Sequence, residues 1–183
     1  MDGCVDQITL EAARRGDREA QGRLLRNLQD SWFRLCVSLL ANAHDAQDAV
    51  QETALRFLRD LPRFRGDSSI STWSMGIAIN VCREMRRKKR PNESYDDAQE
   101  STAATPRVAR SPQEEISLRE SKQVLRSMLS DLSERQREAL LLRYFEDLSI
   151  DDTAAAMSCA AGTVKATIHQ ALRVLRIKLK QLK

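Results

Sequence analysis

Two helical faces in this sequence carry side chains suited to holding a polyanion rather than to transforming a substrate. Between Ser149 and Leu175 the spacing predicts a short helix, a turn at Ser158-Cys159-Ala160 and a second helix. Ala154 falls where the two helices approach closely, and Val164, Ile168 and Leu172 point inward. The outward face of the second helix then carries Thr163, Lys165, Thr167, His169, Gln170 and Arg173. Short and amide side chains reach base edges, and cations hold phosphates. A plain helical hairpin with a solvated face is the competing reading of this segment.

The second face lies on a helix beginning near Trp73. Gly76, Asn80, Arg83 and Arg87 share one side by i, i+4, i+7, i+11 spacing, opposite an apolar stripe of Trp73, Ile77, Ala78, Val81, Cys82 and Met85. The helix closes on Arg86-Arg87-Lys88-Lys89-Arg90, a run that suits a helix C-terminus and a nucleic-acid backbone equally. Trp73 offers a platform for an unstacked base, although its place on the apolar stripe favours core packing. A third face, with Asp48, Gln51, Glu52, Arg56 and Arg59, mixes signs in a way that suits a complementary helix, and suits water as well.

Catalysis finds little to work with. There is no phosphate-cradling Gly-Lys-Ser/Thr loop, no nucleophile elbow and no paired-His helix, and the chain has six glycines in all. Cys4, Cys36, Cys82 and Cys159 are far apart and form no C-x-x-C, so they read as structural or incidental thiols. Asp48 and Glu52 stand one helical turn apart but lack the further ligands that metal-assisted nucleic-acid chemistry needs. No metal, no cofactor and no enzymatic activity are expected. No apolar run approaches the roughly 18 residues of a membrane span, and the N-terminal residues lack a basic segment followed by an apolar one. The expectation is a cytoplasmic protein without membrane insertion.

The elements that must position these faces are all helical. Net charge is +4 and the pI near 9.0, and the charge is unevenly spread: Lys+Arg against Asp+Glu runs 16 to 12 over residues 1–90, 2 to 6 over 91–117 and 12 to 8 over 118–183. Leu24, Leu28, Trp32, Leu35 and Leu39 mark one amphipathic helix. Asp45 is read as the cap of the next, which runs to about Leu61 before Pro62, and Ser71 or Thr72 as the cap of the helix after the Arg65–Ile70 loop. Residues 91–117 hold three of the four prolines and no large apolar cluster, which reads as an acidic flexible linker. Periodicity returns at Leu118, with a capping box at Ser133–Gln136 and a second at Ser149–Asp152. The fold class is therefore all-α: two small helical domains, 1–90 and 118–183, joined by 91–117.

In this order the segments resemble the extracytoplasmic-function (ECF) sigma factors of bacterial RNA polymerase, over nearly the whole chain. Asp45-Ala46-Gln47-Asp48-Ala49-Val50-Gln51-Glu52 is similar to the family's D-A-E-D-L-V-Q-E. That implies docking of Asp48, Gln51 and Glu52 on the polymerase clamp coiled-coil. Phe64 to Trp73, followed by Ile77-Ala78-Ile79-Asn80, looks like the loop and helix of region 2 that open and read the minus-10 element. On that likeness Arg65, Asp67, Ser68, Ser69, Thr72, Trp73, Asn80, Arg83 and Arg87 are minus-10 candidates. Leu132 to Glu138, Leu141 to Tyr144, Leu148-Ser149, Gly162 to Lys165 and His169 are similar to region 4. The helix-turn-helix there implies minus-35 binding through Thr163, Lys165, Thr167, His169, Gln170 and Arg173. The partners implied are core polymerase (clamp coiled-coil and flap), promoter DNA and an anti-sigma factor.

Four positions depart from the family pattern. Ser158 stands for the usual turn Gly, Ala160 for the usual capping Ser, and Thr167 and Gln170 for frequent arginines. The runner-up function is an autonomous helix-turn-helix regulator. A receiver domain would then need alternating strands and helices in the N-terminal half, and residues 1–90 show no such pattern.

Overall fold

The computed structural model describes residues 6–89, Leu129 and 131–181; the linker expected over 91–117 lies outside them, as does Cys4. The described residues form no strand. Four helices make the N-terminal half: α1 (Gln7–Arg14), α2 (Arg18–Leu40), α3 (Ala43–Asp60) and α4 (Ile70–Lys89). Three more make the C-terminal half: α5 (Glu134–Leu140), α6 (Ile150–Met157) and α7 (Ala161–Gln181).

Local chemistry sets the boundaries. Asp17 caps α2 by accepting from the Ala20 N–H at 2.7 Å, after Gly16 has taken the positive φ of 95° that turns the chain. The start of α3 differs from expectation: Asn42, not Asp45, is the cap, its Oδ1 accepting from the His44 and Asp45 N–H groups. Asp45 sits in the first turn instead, where the helix dipole favours its charge and Lys89 pairs with it. At α4 the cap is Ser69 rather than Ser71 or Thr72; its Oγ accepts from the Thr72 N–H at 3.0 Å. In both cases the polar side chain nearest the turn reaches the free N–H groups first.

The core of the N-terminal half is the stripe read from the sequence: Leu24, Leu28, Trp32, Leu35 and Leu39 are all buried. Trp32 packs on Phe57 with ring centroids 5.4 Å apart, and its indole N–H donates to Ser74 Oγ at 3.0 Å. Cys36 and Cys82 meet in the same core with their sulfurs 3.5 Å apart. The hydrogen bond from Cys82, together with burial, pushes the Cys36 thiol well up, so it stays protonated. Arg56 ties α3 to α4 by donating to both Glu84 carboxylate oxygens at 2.8 Å.

The capping box expected at Ser133 forms with Gln136, and Ser149 caps α6 by accepting from the Asp152 N–H. Between them, Leu141–Phe145 is a π-helical turn, closed by the Glu146 N–H on the Leu141 carbonyl. The two halves are packed together. α4 meets α6 as extensively as it meets α3, and one continuous cluster of buried side chains runs through both.

Candidate nucleic-acid interface

Helices α6 and α7 form the helix-turn-helix. α6 ends in a Schellman turn: Ser158 is left-handed (φ 52°, ψ 52°), its N–H donates to Ala155, and the Cys159 N–H donates to Ala154. Ala160 precedes α7 with only its backbone carbonyl engaged, accepting from Thr163 and Val164. Val164, Ile168 and Ala171 are the buried anchors of α7. Leu172, expected inside, is 40% exposed. The i, i+4, i+7 series 164, 168, 171 puts the inward phase one residue earlier at its C-terminal end, with the small Ala171 fully buried in the place expected for Leu172. Of the six candidates on this helix, Thr163, Lys165, His169, Gln170 and Arg173 are exposed together and Thr167 is half-buried.

The loop before α4 forms the second part of the site. Arg65 and Asp67 are exposed and Ser68 is half-buried, around Gly66 with φ 81°. Trp73 stacks obliquely on Phe57 and Phe64, at centroid distances of 5.5 and 5.1 Å, and is half-buried. Its free edge, with Arg63, Phe64, Arg65, Asp67 and Ser68, lines an open cavity of about 230 Å³. The core-packing reading of Trp73 holds, and the residue also walls this cavity. Ser69 and Thr72 are bound up locally, the Ser69 hydroxyl donating to Thr72 Oγ1 at 2.9 Å.

The polar side of α4 is where the structure departs most from the sequence reading. Thr72, Gly76, Arg83 and Arg86 lie along one side of α4 and meet the C-terminal half. Thr72 Oγ1 donates to Asp152 Oδ1 at 3.2 Å. A Cβ on Gly76 would stand 3.1 Å from the Ala156 carbonyl oxygen. Arg83 donates through Nε and Nη2 to the two oxygens of Glu138, at 3.0 and 2.6 Å, and Arg86 Nη2 adds a third bond at 2.9 Å. The Glu138 side chain is 1% exposed and those of Arg83 and Arg86 are 28% and 15% exposed. Glu138 holds the Arg83 guanidinium above its ordinary value, whereas burial pulls Arg137 beside it down. Breaking a buried charge cluster of this kind costs about 3–5 kcal/mol when one member is removed. Asn80 and Arg87 stay exposed at the margin of the strip.

Glu138 is the residue that sequence reasoning passed over. It was legible only as part of a motif, yet it shares the helical phase of the buried Leu141 and Leu142, and a carboxylate at core phase calls for a cationic partner. A further bridge, Arg34 to Glu146 at 3.1 Å, joins α2 to the end of the π turn; burial pushes the Glu146 carboxyl up, and Arg34 opposes that.

On α3, Asp48 and Gln51 are exposed, Glu52 is half-exposed and bound to Arg56 at 2.6 Å, and Leu55 on the same side is 66% exposed. An apolar side chain ringed by polar ones is the usual anatomy of a protein-docking patch.

Among the described residues no helix is long and apolar enough to cross a membrane, and no cluster of three or more His, Cys, Asp or Glu side chains is placed to hold a metal ion. The geometry defines an all-helical protein, among the described residues, with a helix-turn-helix in its C-terminal half. Residues 24–91 match the family described as Sigma-70 region 2, and residues 122–175 match Sigma-70, region 4. The chain is 35% identical to the RNA polymerase sigma-H factor of Pseudomonas aeruginosa, over 91% of this chain and 89% of that one. It is 31% identical to the ECF RNA polymerase sigma-E factor of Escherichia coli, over 97% and 96%. In structure it is similar to the sigma factor RpoE of Bartonella quintana solved in complex with the anti-sigma factor NepR: TM-score 0.68, 27% identity, 87% of this chain and 96% of that one. The chain belongs to the ECF family of RNA polymerase sigma factors, the transcription initiation factors that direct promoter recognition.

Proposed function

We propose that the protein docks on core RNA polymerase through the α3 face of Asp48, Gln51, Glu52 and Leu55, and gives the enzyme its promoter choice without itself catalysing a reaction. The loop residues Arg65, Asp67 and Ser68, with Trp73, receive the opened minus-10 strand; Asn80, Arg83 and Arg87 hold its backbone. The outer face of α7 reads the minus-35 element, with Lys165 and Arg173 on phosphates and Thr163, Thr167, His169 and Gln170 toward base edges. The observation that carries this reading is the inward lock of Val164, Ile168 and Ala171, which leaves Thr163, Lys165, His169, Gln170 and Arg173 exposed on one face, with Thr167 half-buried at its edge. The work is done in the cytoplasm, where polymerase and chromosome are. An anti-sigma factor is a further partner, by analogy with the similar sigma factor held by NepR. Footprinting of the reconstituted holoenzyme on a responsive promoter tests the assignment. Protection of both elements is expected with core polymerase present, and protection of neither with core present would contradict it.

A further inference from the structure

We propose that Arg56 is a positioning residue for polymerase docking: clamped against α4 by Glu84, its guanidinium holds the Glu52 carboxylate in the orientation that the α3 face presents to core polymerase. The inference rests on the docking reading of that face given above and adds to it the residue that sets its geometry.

Glu52 and Arg56 stand one helical turn apart on α3, and a pair of that kind at a surface ordinarily holds neither side chain still. Here the pair has a third member from another helix. Arg56 Nη1 and Nη2 donate to the two oxygens of Glu84 at 2.8 Å each, and Nε donates to Glu52 Oε1 at 2.6 Å. A guanidinium is planar, so seating its Nη edge on Glu84 also fixes the direction of its Nε–H. The side chain of Arg56 is 25% exposed, against 44% for Glu52 and 35% for Glu84, so the cation is the most covered of the three and Glu52 the least. Among the described residues the bond to the Glu52 carboxylate ends on Oε1, which leaves Oε2 to a partner.

The helix beneath is already fixed. Phe57, next to Arg56, is fully buried against Trp32 and Trp73, and Asp45 in the first turn of α3 pairs with Lys89 in the last turn of α4. What remains to be set at this point of the docking face is the rotamer of Glu52, a side chain that loses entropy when it is ordered. The clamp orders it before the partner arrives, and ordering in advance lowers the cost of association. Without the cation, Glu52 and Glu84 would be two carboxylates facing one vacated place, and like charges there repel.

The test measures the affinity of the full chain, fluorescently labelled at its N-terminus, for purified core polymerase by anisotropy. Arg56→Lys keeps the charge but cannot hold two carboxylates along a fixed plane. Glu84→Ala removes the clamp from the far side without touching the docking face. Each should weaken core binding by about threefold to tenfold, the range expected when one more side chain must be ordered on binding, with far-ultraviolet circular dichroism unchanged. The readout that damage to the fold would not move is the dependence on Glu52: in a Glu52→Ala background the same two substitutions should change the affinity by less than about twofold. Wild-type affinity in both clamp variants overturns the inference. So does an equal loss whether or not Glu52 is present, since Arg56 would then act by itself or through the fold. If Arg56→Lys does not fold, Glu84→Ala is read by the same cycle. Glu52→Ala binding core as tightly as the wild type would sink the docking reading of α3 and the clamp's role with it, whereas a loss in Glu52→Ala with none in either clamp variant would sink this inference alone.

Discussion

Gly76 on α4 and Ala156 on α6 meet backbone to backbone, so closely that a Cβ at position 76 would lie 3.1 Å from the Ala156 carbonyl oxygen and the α6 backbone would have to give by a few tenths of an ångström. Position 76 is thus a gauge of whether the two halves are closed. Gly76→Leu should force them apart while leaving α4 itself helical, since Leu is a better helix former than Gly by about 1 kcal/mol. A larger radius of gyration by small-angle scattering, with unchanged far-ultraviolet circular dichroism, is the expected result.

The α3 face should carry core affinity. Reversing the charges of Asp48 and Glu52 together should weaken core binding at least about tenfold, a change of roughly 1.4 kcal/mol. Leu55→Ala should weaken it by a similar amount as the loss of an apolar anchor. Pull-down titrations measure both, and circular dichroism should show the helical content intact, because these side chains stand outside the core.

How much of this was legible in the sequence depends on what each residue answers to. The Leu24 to Leu39 stripe and the box at Ser133 were readable because periodicity and capping are local properties. The caps at Asn42 and Ser69 were misplaced by two or three residues, since several polar side chains competed within one turn. Leu172 was placed inward because α7 was phased on large apolar residues, when Ala171 holds the contact. The face of Gly76 and Arg83 was rightly seen as distinct from the apolar stripe. That it lies against the C-terminal half could not be seen, because its partners Glu138 and Ala156 are 55 and 80 positions away and their pairing is a property of tertiary packing.

The α6–α7 turn carries a conformational cost that substitution should relieve. Ser158 holds φ 52° and ψ 52°, a region that disfavours any residue with a Cβ. Ser158→Gly should stabilise the protein by about 1 kcal/mol. Ala160→Ser should add a capping hydroxyl to α7, worth about 0.5–2 kcal/mol. Thermal denaturation should show both single variants melting above the wild type and the double variant highest.

Acid sensitivity should trace in part to Glu84. The Arg56 guanidinium holds its carboxyl below the usual carboxylate range. The folded pKa is the lower one, so the stabilisation is present above that ordinary range and is lost as pH falls through the depressed value. Because the pair is partly wet, its worth is at most about 1 kcal/mol. Urea midpoints taken from neutral pH downward should fall less steeply for Glu84→Gln than for the wild type.

On α7, residues that position should separate from residues that specify. Lys165→Ala and Arg173→Ala should each weaken minus-35 binding at every promoter and reduce the slope of log affinity against log salt by about 0.9. Gln170→Ala should change which promoters are used, with about 1–3 kcal/mol of discrimination at stake. A promoter-selection assay on the holoenzyme decides it; a shift in sequence preference from Lys165→Ala, with a uniform loss from Gln170→Ala, would reverse the two roles.

The central claim is tested most directly by run-off transcription from a genomic promoter library with purified core polymerase. The account predicts a discrete set of transcripts that needs both core and this protein and that disappears when Asp48 and Glu52 are reversed in charge. Sequence-specific, nanomolar promoter binding by the protein alone, with no new transcripts when core is added, would contradict it.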